Sequence, residues 1–89
     1  MKDEQKLYVL RFRYGNFIFF NFQHKYTTAI LSPYCLTTKN SAKWRRTYAS
    51  KGGIKKGEIF ELTKYDDEVI AVLTTMKDPT NHPNINLVK

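Results

Sequence analysis

The residues with most chemistry to offer lie between Lys39 and Lys56, in KNSAKWRRTYASKGGIKK. Lys39, Lys43, Arg45, Arg46, Lys51, Lys55 and Lys56 are basic, and Trp44 and Tyr48 stand among them. Phosphate groups suit such a segment. Lysine and arginine neutralise backbone charge and release counterions, arginine can fork a phosphate with two N–H groups, and an aromatic ring can stack on an unpaired base. Arg11, Arg13 and Lys25 extend the patch if the wet face of an N-terminal hairpin lies beside it. The plainer reading is a solvated helix with Trp44 and Tyr48 in the core, since a lone tryptophan in a small domain more often packs than binds.

The catalytic inventory is thinner: His24, His82 and Cys35. A Cys-His nucleophile pair meets in space rather than in sequence. Cys35, however, has the apolar neighbours of an inert buried thiol, His82 sits between Asn81 and Pro83, and His24 follows a strand. A metal-free ribonuclease using His24 with a lysine or arginine is the one enzymatic reading beside a non-enzymatic one. Asp66 and Asp67 are ordinary turn residues, with no histidine or third carboxylate at ligand spacing, so no metal and no cofactor is expected.

Several elements must position these residues. KLYVLRFRY (Lys6 to Tyr14) and NFIFFNFQ (Asn16 to Gln23) are rich in aromatic and branched residues and flank a Tyr14-Gly15-Asn16 turn, which predicts a hairpin. Strand alternation puts Tyr8, Leu10 and Phe12 on one face, and Leu7, Val9, Arg11 and Arg13 on the other, which turns from apolar to basic and is partly wet. Thr27 to Leu31 fits a strand or a helical turn. Asn40 or Ser41 is the expected N-cap of a helix over Ala42 to Ser50, with Gly52 or Gly53 as its stop. Glu58 to Thr63 and Glu68 to Thr75 read as a second hairpin about Lys64 to Asp67, with Val69 to Leu73 near the middle of the sheet. Beyond Met76, prolines and asparagines leave an extended tail over 79–89, with an edge strand at Ile85 to Val88. The fold class is α+β: a small β-rich domain over 1–78, an antiparallel sheet or partly open barrel from two hairpins plus one short basic helix.

Length and charge set the limits. Eighty-nine residues make one domain, and 42% apolar content excludes a disordered chain. No apolar run is long enough to span a bilayer, and Lys2, Asp3 and Glu4 do not open a signal peptide. One cysteine suits a reducing compartment, so a cytoplasmic location is expected. The net charge of +7 is unevenly spread: residues 5–57 carry +11 and no acid, whereas residues 58–89 carry −3. That asymmetry favours a nucleic-acid partner, and a β-rich scaffold with scattered aromatics and one short helix favours single-stranded or structured RNA over duplex DNA. The acidic residues Glu58, Glu61, Asp66, Asp67 and Glu68 either dock a basic protein or balance the basic patch of the same or a neighbouring subunit, which leaves a homo-oligomer open.

This very small, basic, aromatic, Asn- and Lys-rich chain resembles the early proteins that large tailed phages direct against host enzymes and defence systems. Within that group its general character resembles the TifA-type antitoxins, and the stretch TTKNSAKWRRTYASKGGIKK would be the RNA-contacting feature that such a role requires. The resemblance implies an inhibitor that neutralises a host toxin endoribonuclease, or another host nuclease, in an assembly containing RNA. The alternative is a purely protein-directed inhibitor of a host polymerase or defence effector nuclease.

Overall fold

The computed structural model describes residues 7–23, 26–28, 30–54 and 57–89. These form five strands, β1 (Leu7–Tyr14), β2 (Phe17–Gln23), β3 (Tyr26–Thr28), β4 (Gly57–Leu62) and β5 (Ile85–Val88), and two α-helices, α1 (Lys39–Lys51) and α2 (Asp67–Leu73). The strands make one open antiparallel sheet in the order β3-β2-β1-β4-β5, so the domain is α+β as its sequence predicts.

The N-terminal hairpin is in place. Gly15 takes φ 61°, the left-handed conformation that a tight turn asks of glycine, and Tyr14 pairs with Phe17 and Phe12 with Phe19 across it. β1 is the central strand. Its other edge zips to β4 from Leu7 with Leu62 to Phe12 with Gly57, and the backbone of Thr37 bridges to Tyr8 just before α1. Of the segment read as strand or helical turn, Thr27 and Thr28 belong to β3, and Ile30 lies in a bend.

The second hairpin is not formed. β4 occupies its first half, but Asp67–Leu73 is helical, so Val69 to Leu73 is not the middle of the sheet. The reason is local chemistry. Asp66 is an N-cap whose carboxylate accepts the Val69 N–H at 2.9 Å, and Asp67 and Glu68 place negative charge in the first turn, where the helix dipole favours it. Val69 and Leu73, four residues apart, then bury on one face. The partner of β4 is instead β5, the expected edge strand, entered through a one-turn helix at Pro79–Asn81 whose cap, Asp78, accepts the Thr80 N–H.

Both faces of the sheet are covered. Tyr8, Leu10, Phe12, Phe19 and Ile59 pack against Ala42 and Ala49 of α1. On the opposite face Val9, Phe20, Phe60, Leu62 and Ile85 pack against Val69 and Leu73 of α2, together with Leu31 and Cys35. The face expected to be partly wet is therefore roofed over Arg11 by a helix where a strand was expected, and stays partly exposed at Arg13. Among the described residues no helix is long and apolar enough to cross a membrane.

Candidate nucleic-acid interface

α1 carries most of the basic segment and is somewhat longer than its sequence predicts. Its N-cap is Thr38, not Asn40 or Ser41, because the Thr38 hydroxyl accepts the Ser41 N–H at 3.2 Å. Its C-terminus closes in a Schellman arrangement. Gly53 at φ 100° directs its own N–H to Ser50 O and turns Ile54 back so that its N–H reaches Ala49 O at 2.9 Å.

The helix touches the sheet through small groups. Ala42 and Ala49 are fully buried, and Arg45 and Arg46 between them are half-buried, lying along the flanks of that face. Arg46 crosses β4 at Gly57. A Cβ there would fall 2.9 Å from Arg46 Cγ and 2.9 Å from Phe12 Cε1, so the absent side chain of Gly57 makes room for the arginine stem above a buried ring.

The outward stripe is formed by Lys43, Trp44, Thr47, Tyr48 and Lys51, with Lys39 at the first turn, and all are exposed. Trp44 is 63% and Tyr48 58% exposed, so the buried-aromatic alternative does not hold. Their rings pack against each other, centroids 5.7 Å apart at 50°, and with Thr47 and Lys51 they line a shallow depression. The helix has no acidic residue, and among the described residues no ion pair engages Lys39, Lys43 or Lys51.

Arg11 is not part of this surface. Its side chain is wholly buried on the opposite sheet face, where Nη2 meets Glu58 Oε1 at 3.0 Å and Nη1 donates to Leu73 O and Thr75 O at 3.0 and 3.3 Å. Its guanidinium also lies 5.0 Å from the Phe60 ring centroid. A cation at the Leu73 carbonyl satisfies an acceptor that the C-terminus of α2 leaves open. Arg13 is on the same face and is partly exposed, but binds Glu58 and the Met76 carbonyl. Strand alternation separates both arginines from α1, so they do not extend its patch. Lys55 and Lys56, with Lys25 and His24, lie outside the described residues.

Four of the acidic residues have partners within the fold. Glu58 holds the two arginines, Glu61 accepts the Tyr8 hydroxyl at 3.1 Å, Asp66 caps α2, and Glu68 faces His82 at 3.6 Å. Their sequence signal was the cap and acidic first turn, Asp66-Asp67-Glu68, which reads as a helix start. Cys35 is buried, with Sγ donating to Ile30 O at 3.7 Å, whereas His82 Nδ1 accepts the Asn84 N–H at 3.1 Å. Tyr65 donates to Leu31 O at 3.5 Å, and its phenol is pushed up, first by burial and then by the nearby Cys35. Among the described residues no three histidine, cysteine or carboxylate side chains gather as a metal site would require.

Comparison with known proteins returns no matching family model, no matching curated protein and no matching solved structure.

Proposed function

We propose that the chain is a small, basic, non-enzymatic RNA-binding protein of the phage host-takeover kind. In this reading it acts in the host cytoplasm and inhibits a host nuclease, such as a toxin endoribonuclease, by binding it together with RNA. The outward face of α1 carries the proposal: exposed lysines bracket two exposed aromatic rings on a helix without acidic residues. That arrangement costs the fold stability. Lys39 and Lys43 are like charges one turn apart, and Lys39 opposes the helix dipole, penalties of a few tenths of a kcal/mol each. A polyanion removes both.

The test is a titration with labelled single-stranded RNA over a series of salt concentrations. With about five phosphates neutralised, the logarithm of affinity falls against that of salt with a slope of about −3.5. Replacing Lys43 and Lys51 by alanine flattens the slope by about 1.4. An affinity indifferent to salt overturns the reading.

One observation favours a second reading. Tyr14 and Phe17, paired across the hairpin tip, are 75% and 50% exposed, which suits direct docking on a protein such as a host polymerase or defence effector nuclease. Pull-down with and without RNase and DNase separates the two: a partner retained after complete digestion selects protein docking, and a complex that shrinks or dissolves selects RNA.

A further inference from the structure

We infer that Trp44 is a stacking platform for one unpaired nucleobase, with Tyr48 as its brace and Lys43 and Lys51 as phosphate contacts on either side. This rests on the RNA-binding reading of α1. The indole is 63% exposed although the sheet beneath α1 has an apolar face, so it is held at the surface by its place on the helix. The rings of Trp44 and Tyr48, centroids 5.7 Å apart and tilted by 50°, are too close and too oblique to admit a base between them. A sandwiched base needs parallel rings about 7 Å apart, twice the ~3.4 Å rise of stacked bases. Tyr48 therefore supports one side of the indole and leaves the other for a ligand.

The cations are placed to follow the backbone of that ligand. Lys43 precedes the ring, and Lys51 follows it by seven residues, about 10 Å along the helix axis. A bulky tilted pair at the centre of the outward stripe is ill suited to a duplex groove, where recognition helices present slender polar groups to base edges. It suits a strand whose base has no partner.

Because Trp44 is the only tryptophan, its emission reports on its own contact. The experiment compares three probes by fluorescence and by anisotropy: a short oligoadenylate, the same strand paired with oligouridylate, and an abasic ribose-phosphate oligomer of equal length. Oligoadenylate quenches the indole, whereas the duplex and the abasic oligomer do not. Trp44→Leu weakens oligoadenylate binding about 5- to 150-fold and leaves the abasic oligomer unaffected. Circular dichroism checks that the variant is folded, and Trp44→Phe recovers part of the loss. Equal quenching by the abasic oligomer, equal affinity for the duplex, or an unchanged Trp44→Leu affinity overturns the stacking platform while RNA binding stands. If none of the three probes binds, the RNA-binding reading falls and the platform with it.

Discussion

Arg11 Nη2 lies 3.0 Å from Glu58 Oε1 across a β1–β4 register pair, the arginine side chain wholly buried and the carboxylate 26% exposed. The same guanidinium reaches the Leu73 carbonyl at the end of α2 and the Thr75 carbonyl just beyond it, so one side chain ties the centre of the sheet to the helix on its face. Glu58→Ala leaves that charge buried without its anion and costs about 3 kcal/mol, or roughly 12 to 24 °C in Tm. Urea denaturation measures it. In a double-mutant cycle with Arg11→Met the two losses fall short of additivity by about 1 to 3 kcal/mol, whereas simple addition contradicts the pairing.

Removing the α2 cap gives an independent check on the helix. Asp66→Ala costs about 1 kcal/mol, and Asp66→Asn a few tenths. Thermal melts of the two variants decide the matter, because a turn between two strands would tolerate both equally.

Gly57→Ala destabilises by about 1 to 3 kcal/mol, since the new methyl meets a buried phenylalanine ring that cannot move aside. The Arg46 stem is the flexible neighbour, so adding Arg46→Ala restores part of the loss. A neutral Gly57→Ala, read from its chemical-denaturation midpoint, would falsify the crossing at this point.

Acid titration isolates Asp78. Hydrogen bonds from the Thr80 hydroxyl and the Thr80 N–H, with lesser help from Arg11 and Arg13, hold its carboxyl below its ordinary value of 3.8. A lowered folded value means that the ionised form stabilises the fold above 3.8, and that this contribution fades as pH drops through the folded value. Asp78→Asn therefore flattens the acid limb of the stability curve. Tyr65 behaves in the opposite sense: its raised value gives a contribution complete below pH 10.0 and lost on further alkalinisation, which Tyr65→Phe abolishes. Carboxyl NMR shifts and phenolate absorbance follow the two groups directly.

How far the sequence reveals this fold depends on whether local and long-range signals agree. At Tyr14-Gly15-Asn16 they agree, and the hairpin was legible; at Lys39–Lys51 the helix was legible, apart from a cap one turn upstream in Thr38. At Val69-Ile70-Ala71-Val72-Leu73 they conflict, because branched apolar residues favour a strand while the Asp66 cap and the four-residue spacing of Val69 and Leu73 favour a helix. That one misreading propagates: without α2, Arg11 belongs to a wet face and is counted with the phosphate contacts, and with α2 it is sealed beneath a roof. The exposure of Trp44 was not legible, since its burial turns on which side of α1 meets the sheet, and two alanines carry weak signal for that.

The pairing of β1 with β4 also sets an order of events in time. Its register joins residues far apart in the chain, from Phe12 with Gly57 to Leu7 with Leu62, so β3 and α1 are looped out until it closes. Leu10 and Ile59, which together floor α1, come from the two sides of that closure. Until β4 arrives the floor of α1 lacks Ile59, although Tyr8, Leu10, Phe12 and Phe19 of the N-terminal hairpin already offer its two alanines a seat. Completion of the sheet therefore waits on a long-range closure, whereas the hairpin and most of the floor of α1 come from residues closer together in the chain.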